Sequence, residues 1–178
     1  MKTCRIALMT IIAIVLLTTI IPGHARGDDT WIIKPGVSVG WVQFGITSIK
    51  DVVKQFGNLD GRSKDKTTIL YRKRYGMDIT YDKNTLKVTS VMIMRGTSKG
   101  VKYVTDRKLY VGAPMASAMK VYKQPTLTIN KKPYKILTYL KKDRFLSFVG
   151  KEGKIVMIWT GLKSAYDEKI SEVKESLQ

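Results

Sequence analysis

Cysteine and histidine are nearly absent from this sequence. Its 178 residues contain one cysteine and one histidine, Cys4 and His24, and both lie within the first 25 residues. The sequence therefore excludes a disulfide framework and a zinc site built from cysteine and histidine. Beyond residue 25 it also lacks the thiol and the imidazole, which are common groups in nucleophilic and general-base catalysis.

Acidic residues are also scarce. The chain has 14 Asp and Glu residues against 32 Lys and Arg residues, a formal charge of +18, while 44% of its residues are hydrophobic. That apolar fraction is close to the globular average, so the composition argues against intrinsic disorder. A folded domain with so positive a surface attracts anionic partners.

The first 25 residues are typical of an export signal. Lys2 and Arg5 precede an apolar run from Ile6 to Ile21, and small residues at Gly23 and Ala25 favour cleavage after Ala25. The run has 16 residues, fewer than the ~20 that a spanning helix needs, although a retained membrane anchor is the alternative. We expect an exported protein, periplasmic or secreted, whose mature chain keeps 30 basic and 14 acidic residues, a charge of +16.

Two stretches of the chain resemble each other at an offset of about 67 residues. That offset places Ile69 on Ile136 and Tyr81 on Phe148. Apolar matches in a constant order favour an internal duplication. The sequence predicts a signal peptide at 1–25, a flexible mature N-terminus at 26–34, a first repeat at 35–95, a linker at 96–102, a second repeat at 103–161 and a C-terminal helix or tail at 162–178.

Each repeat is predicted to begin with a helix and to continue as a three-stranded antiparallel meander. In the first repeat Ser48 and Asp51 form a helix-capping signature, and Gly57 ends the helix. In the second repeat Pro114 opens the helix. Strands are predicted at 67–72, 77–81 and 86–94, and again at 134–140, 144–149 and 154–160. We therefore expect an α+β fold in which two tandem repeats share one curved sheet.

The segment PGVSVGWVQFGITSIKDVVKQFG, residues 35–57, resembles the opening of SmpA/OmlA (BamE-like) domains. In those domains a short segment with a glycine precedes a helix that ends at another glycine, and a strand meander follows. A tandem pair of such units in an exported chain is similar to the β-lactamase inhibitor protein family. Those inhibitors carry a disulfide in each repeat, and the outer-membrane domains carry a lipidated cysteine, whereas this mature chain has no cysteine. The resemblance implies the fold and a non-enzymatic binding role, and it transfers no binding residue.

Positive charge and tyrosines are concentrated around two predicted hairpin turns, which the 67-residue offset makes equivalent. The candidate binding residues are Tyr71, Arg72, Lys73, Arg74 and Tyr75 at the first turn, and Tyr134, Tyr139, Lys141, Lys142 and Arg144 at the second. Because tyrosine and arginine are enriched in protein interfaces, we predict that the two turns are two arms of one anion-binding surface. The alternatives are lysines that serve solubility or block edge pairing, and tyrosines that are half-buried in the sheet.

No pattern of acid, base and nucleophile indicates catalysis. Glycosidase chemistry requires two carboxylates across a cleft. Asp78 and Asp82 are instead predicted on the outward face of one strand and in its turn, where solvated carboxylates are ordinary. The glycine-containing segment at 96–100 lacks the spacing of a phosphate-binding loop. We therefore predict a non-enzymatic protein that has no cofactor and no metal site.

The sequence predicts an exported binding protein for an anionic partner. That partner is an acidic protein surface or an anionic envelope lipid, and the lipid entails contact with a membrane surface. Basic residues interleaved with aromatics also suit single-stranded nucleic acid, but exported proteins rarely meet it, so we do not expect it. The alternative function is a cell-envelope assembly or scaffolding factor that binds its partner through an apolar groove. Sensitivity of binding to salt distinguishes the two functions.

Overall fold

Strands dominate the fold. The computed structural model describes residues 29–94 and 101–175, and in these ranges the chain forms twelve strands and three helices. The elements in chain order are β1 (Asp29–Lys34), β2 (Ser38–Val39), β3 (Val42–Gln43), α1 (Ile49–Phe56), β4 (Gly61–Arg62), β5 (Thr68–Tyr71), β6 (Met77–Tyr81), β7 (Val88–Met94), β8 (Val101–Thr105), α2 (Met115–Tyr122), β9 (Leu127–Lys131), β10 (Tyr134–Lys141), β11 (Arg144–Lys151), β12 (Lys154–Leu162) and α3 (Lys163–Glu175). None of the helices in the described ranges is long and apolar enough to span a membrane.

The strands form a large sheet and a small one. Eight strands make an antiparallel sheet in the order β4-β5-β6-β7-β12-β11-β10-β9, and four make a second sheet in the order β3-β2-β1-β8. The large sheet consists of two meanders, β4 to β7 and β9 to β12, which meet where β7 pairs with β12. Gly161 permits this junction, because a Cβ atom there would lie 2.3 Å from the carbonyl oxygen of Thr89. The close approach of the two central strands therefore requires glycine at this position.

The predicted fold class, an α+β fold of two helix-plus-three-strand repeats, is wrong. The protein is mostly sheet and does not follow that pattern. Both α1 and α2 have only eight residues, each is followed by four strands of the large sheet, and a second sheet is formed by β1, β2, β3 and β8. Strands β2, β3 and β4 have two residues each, which is too few to show the alternation of apolar and polar residues by which a strand is predicted.

Several individual elements agree with the sequence. The six predicted strands match β5, β6, β7, β10, β11 and β12 to within two residues at each end. Helix α1 starts after Ser48, whose hydroxyl accepts a hydrogen bond from the backbone N–H of Asp51 at 3.1 Å. It stops at Gly57, which has a φ of 75°. The capping signature and the glycine thus set the limits of α1 as predicted.

Two segments that were predicted to lack regular structure, 26–34 and 96–102, contain residues of strands. Although residues 26–34 are predicted to be flexible, Asp29–Lys34 is strand β1, which pairs in parallel with β8 and buries Ile33. The predicted linker 96–102 reaches into β8, which begins at Val101. A parallel partner distant in sequence leaves no local signal, so this pairing could not be anticipated. The predicted export signal at 1–25 lies outside the described residues.

The two faces of the large sheet have different covers. On one face α1 places Phe56 against Tyr71, with ring centroids 5.4 Å apart, and α2 places Tyr122 against Phe148 at 5.5 Å. The small sheet covers the same face. On the opposite face α3 places Tyr166 over Phe145, with ring centroids 5.2 Å apart. The apolar core therefore lies mainly between the large sheet and the layer formed by α1, α2 and the small sheet.

Candidate functional site

The two basic turns lie at opposite ends of the large sheet. The turn with Arg72 joins β5 to β6 and lies beside the end of β7, where the backbone N–H of Met94 donates to Gly76 at 2.8 Å. The other turn joins β10 to β11, where Arg144 pairs with Leu162 at the end of β12. Because β7 and β12 are antiparallel, their last residues lie at opposite ends of the sheet. The prediction that both turns form one surface is therefore wrong.

Tyr71 and Tyr75 belong to the core. They are 1% and 3% exposed, and their rings lie 5.4 and 4.6 Å from that of Phe56. The prediction that they contribute to a binding surface is wrong, because both rings turn inward to complete the aromatic core beneath α1. Arg74 stays at the surface, with its guanidinium 5.2 Å from the ring centroid of Tyr75. Lys73 is also exposed.

Arg72 forms an ion pair within the structure. Its Nη2 atom lies 2.6 Å from Oδ2 of Asp78, and its Nε atom donates to Oδ1 at 2.9 Å. The Asp78 side chain is 7% exposed, so the prediction that it is solvated is wrong. The hydrogen bonds to Asp78 raise the pKa of Arg72. The guanidinium of Arg72 is thus bound to a carboxylate of its own sheet.

A groove of about 820 Å³ opens beside the second turn. It lies between the β10–β11 hairpin, the loop after β8 and the end of α2, and we call it the hairpin groove. Four cationic side chains line it, Arg107, Lys141, Lys142 and Arg144, together with the carboxylates Asp106 and Asp143 and the phenols Tyr122 and Tyr139. Cations thus outnumber carboxylates in the lining. The hairpin groove is the candidate functional site.

Tyr122, the last residue of α2, forms an aromatic wall of the hairpin groove. Its ring lies 5.5 Å from the ring centroids of Tyr139 and Phe148. Its hydroxyl donates to Oδ1 of Asp106 at 3.0 Å. Burial is the main cause that raises the pKa of Tyr122 to about 12. The hydroxyl is protonated at neutral pH, as an ordinary phenol is, and its hydrogen is donated to Asp106.

Arg107 is held between the end of α2 and the hairpin groove. Its Nη1 atom donates to the carbonyl oxygen of Val121 at 3.0 Å, and its guanidinium lies 4.9 Å from the ring centroid of Tyr122. The carbonyl groups at a helix C-terminus attract cations. Since a guanidinium carries five N–H groups, this bond leaves others available to a ligand.

The β10–β11 hairpin contributes three cations at its turn. Lys141 and Arg144 are paired across it, and Lys142 occupies the turn. The β1–β2 turn packs against the aliphatic stem of Arg144, because a Cβ atom added to Gly36 would lie 2.3 Å from the Cβ atom of Arg144. The Nε atom of Arg144 is 3.7 Å from Oδ1 of Asp143, and both side chains are exposed. A loose surface ion pair such as this one leaves the guanidinium available.

The tyrosines predicted at the second turn separate. Tyr139 lines the hairpin groove, and burial raises the pKa of its hydroxyl, which donates to the carbonyl oxygen of Lys123 at 3.4 Å. Tyr134 is 47% exposed and pairs with Lys151 at the opposite end of β10, away from the groove. The groove thus includes Tyr139, Lys141, Lys142 and Arg144 of the predicted residues, and excludes Tyr134 and the whole first turn.

Two residues of the hairpin groove, Arg107 and Tyr122, are not among those predicted from the sequence. The signal for Arg107 was a run of three charged residues, Asp106 to Lys108, directly after a strand and before a helix. Tyr122 has the helical spacing of a core residue, so its position beside a groove follows only from the tertiary structure. Loops between regular elements often carry binding residues, and this loop is one such position.

Three lysines near the hairpin groove have left-handed backbone conformations. Lys108, Lys123 and Lys142 have φ values of 64°, 66° and 55°. Glycine and asparagine favour this region, whereas other residues there cost about 1 kcal/mol. Local stability does not explain lysine at these positions. Lys66, Leu86 and Glu152, which do not line the groove, have the same conformation, so it does not by itself mark the site.

The arrangement suits binding better than acid–base chemistry. Asp106 accepts a hydrogen bond from Tyr122, Asp143 pairs with Arg144, and both carboxylates belong to exposed residues. Neither is placed in the apolar surroundings that turn a carboxyl group into a general acid. Within residues 29–94 and 101–175, no three Asp, Glu, His or Cys side chains are grouped so that they could hold a metal ion.

The fold is similar to the solved structure of a DUF4309 family protein, YjgB, from Bacillus subtilis subsp. subtilis str. 168. The TM-score is 0.52 at 16% sequence identity, over 70% of this chain and 84% of that chain. At this identity the likeness concerns the fold alone. No family model and no curated protein matches the sequence. The resemblance of residues 35–57 to SmpA/OmlA domains stays a prediction.

Proposed function

We propose that the protein is an exported, non-enzymatic binding protein that holds an anionic partner in the hairpin groove. The observation that carries this proposal is the set of four cations around a groove of about 820 Å³ that also presents phenol groups. Arginine suits carboxylate and phosphate groups, because its planar guanidinium donates two parallel hydrogen bonds. Aromatic side chains add contact area with little loss of conformational entropy.

The fixed geometry of the groove supports this proposal. Arg107 is held by α2, Arg144 is packed against Gly36, and the Tyr122 hydroxyl is fixed by Asp106. Side chains that are already ordered lose less entropy when a partner binds. Lys141 and Lys142 remain exposed and add a positive field at the rim. We therefore expect fast, salt-sensitive association.

Charge reversal in two matched hairpins tests the proposal. Lys141→Glu with Lys142→Glu changes the rim of the groove. Lys131→Glu with Lys132→Glu makes the same change in net charge at the exposed β9–β10 turn, which lies at the opposite end of β10. The probe is a fluorescently labelled poly-glutamate peptide, with binding measured at low and at high salt.

The first double variant should weaken poly-glutamate binding about tenfold or more at low salt, since two exposed ion pairs are lost and two repulsions are introduced. The second should weaken it by no more than about twofold, since it alters only the general field. Equal losses in the two variants would show attraction to net charge alone and would overturn the hairpin groove as the site. High salt should reduce wild-type binding strongly.

The alternative function, a cell-envelope assembly or scaffolding factor with an apolar groove, has less support at this site. The hairpin groove is lined by charged and phenolic side chains as well as by Leu140, Phe145 and Leu146. A partner recognised through apolar contacts would bind equally well at high salt. Binding of that kind would favour the scaffold over the anion-binding protein.

A further inference from the structure

Three aliphatic side chains protrude from loops near the hairpin groove. Ile46 is 65% exposed, more than any other large apolar side chain in the described ranges. Val37 and Leu86 are 39% and 36% exposed. We call these three residues the aliphatic tip. Single exposed apolar residues are normal on a protein surface, but a group of them indicates an interaction site.

Backbone hydrogen bonds hold the three loops of the aliphatic tip together. The N–H of Phe44, two residues before Ile46, donates to the carbonyl oxygen of Val37 at 2.9 Å. The N–H of Ile49 donates to the carbonyl oxygen of Leu86 at 2.8 Å. The three residues therefore belong to neighbouring segments that are hydrogen-bonded to one another.

The aliphatic tip lies at the same end of the large sheet as the hairpin groove. A Cβ atom added to Gly45 would lie 3.7 Å from Cδ1 of Leu162, and Leu162 pairs with Arg144. The turn that carries Val37 also contains Gly36, which packs against Arg144. Aliphatic and cationic side chains are thus combined at this end of the molecule.

Leu86 is held in a conformation that its side chain disfavours. Its φ is 55°, a left-handed value that is uncommon for a bulky residue. Its N–H donates to the carbonyl oxygen of Asp82 at 2.8 Å, so the turn fixes this conformation. Asparagine or glycine would fit the backbone better and would not leave an isobutyl group partly exposed to water. Stability of the fold therefore does not account for leucine at this position.

Three lysines lie within four residues of Ile46 or Leu86 in the sequence. Lys50 opens the exposed face of α1, Lys83 lies in the β6–β7 turn, and Lys87 follows Leu86. Two carboxylates belong to the same segments: hydrogen bonds from Ser48 at 2.6 Å to Asp51 and from the N–H of Thr85 at 2.7 Å to Asp82 lower the pKa of each and keep both charged. The three lysines still outnumber them, and the cations of the hairpin groove add to the positive charge at this end. Lysines around exposed aliphatic groups match a surface that is anionic outside and apolar beneath.

We propose that this end of the protein docks on an anionic lipid bilayer, with Ile46 and Leu86 inserted at the interface and the surrounding lysines at the headgroups. Charge complementarity favours this occupant, and the aliphatic side chains project from loop tips rather than line a groove for a peptide. Interfacial binding combines buried apolar area with attraction to anionic lipid. The inference deepens the proposed function, on which it rests, by naming a lipid surface as the anionic partner.

Sedimentation of the full chain with lipid vesicles tests the docking. One set of vesicles contains phosphatidylcholine alone, and the other contains phosphatidylcholine with phosphatidylglycerol. The variant combines Ile46→Ser with Leu86→Asn, and the matched control is Tyr134→Ser, which removes a side chain of 47% exposure at the opposite end of the sheet. The readout is the binding to anionic vesicles relative to that to vesicles of phosphatidylcholine alone, because the apolar run at 6–21 would add to the binding of both kinds.

The wild-type chain should bind the anionic vesicles and bind those of phosphatidylcholine weakly. The double variant should lose about tenfold or more of this binding, because two aliphatic side chains no longer leave water. Its thermal stability should be unchanged or higher, since asparagine tolerates the backbone of residue 86. The Tyr134→Ser control should bind as the wild type does.

Two outcomes would overturn the docking. One is a loss of binding to anionic vesicles in the double variant that is no larger than the loss in the Tyr134→Ser control. The other is binding of poly-glutamate without binding of anionic vesicles, which would identify an acidic protein as the partner and leave the proposed function intact. If neither probe binds, both proposals fail. The double variant should keep its affinity for poly-glutamate, because the side chains of the hairpin groove are unchanged.

Discussion

Helices α1 and α2 both end in an aromatic residue, but their surroundings differ. The ring of Phe56 at the end of α1 lies within 5.6 Å of four other aromatic rings, those of Trp31, Trp41, Tyr71 and Tyr75. Tyr122 at the end of α2 meets two rings and a guanidinium, and it borders the hairpin groove. Two tryptophans close the first end, whereas a charged loop lines the second.

The aromatic residues at the two helix ends contribute to different properties of the protein. Aromatic rings that surround Phe56 leave it 4% exposed and bury apolar area, which stabilises the fold. Tyr122 gives its one hydroxyl hydrogen to Asp106 and presents part of its ring to the hairpin groove, so it adds contact area for a ligand and contributes less to the core. We therefore expect stability to depend mainly on the end of α1 and binding on the end of α2.

Replacement of Phe56 by alanine should have the largest effect on stability. The lost burial and the cavity should reduce the free energy of unfolding by about 3–5 kcal/mol, as for other buried aromatic residues. Tyr122→Ala should cost about 1–2 kcal/mol, because its side chain is only half-buried. Urea unfolding followed by tryptophan fluorescence gives both values. Equal losses would show that the two ends support the fold alike.

The arginines of the two basic turns should show the same contrast: replacement of Arg72 should reduce stability more than replacement of Arg144. Arg72→Ala leaves the buried Asp78 carboxylate without its ion pair, and we expect a loss of about 1–2 kcal/mol, moderated because Arg72 is 57% exposed. Arg144→Ala breaks an exposed ion pair and removes the part of the stem that packs against Gly36, and it should cost less than about 1 kcal/mol. Thermal unfolding measures both changes. A larger loss for Arg144 would contradict the assignment of Arg72 to structure.

Local sequence signals predicted the strands and caps well but not the fold class. The strands of the large sheet from β5 to β7 and from β10 to β12 have enough residues to show apolar periodicity. The small sheet has strands of two residues and a parallel pair, β1 and β8, that are far apart in the sequence. Pairing of that kind depends on tertiary contacts, so the share of sheet was underestimated.

Only part of the candidate site was predicted, because charge clusters are visible in the sequence whereas the placement of the turns is not. Clusters of lysine and arginine are visible in the sequence, so Lys141, Lys142 and Arg144 were found. Which end of the sheet each turn occupies depends on how β7 and β12 pair, and no local pattern records that. Asp78 is a different case, because it follows Arg72 by six residues and the register of the β5–β6 hairpin alone brings Arg72 to its carboxylate.

The residues that follow α1 and α2 offer the finest comparison. Gly57 and Lys123 occupy the same position after their helices, with φ values of 75° and 66°. Each donates its backbone N–H to the carbonyl four residues earlier, at 2.9 Å in both cases. Gly57→Ala should cost about 1 kcal/mol, and Lys123→Gly should add up to about 1 kcal/mol, measured by thermal unfolding.

The cost at Gly57 should come from the backbone alone, because a Cβ atom added there meets no atom within 4 Å. Gly57→Asn is the control: asparagine tolerates the left-handed region, so it should retain more stability than alanine. If Lys123→Gly lowers stability instead, the lysine side chain contributes to the fold at the end of α2. In that case the left-handed lysines near the hairpin groove would be structural, and the contrast between the ends of the two helices would narrow.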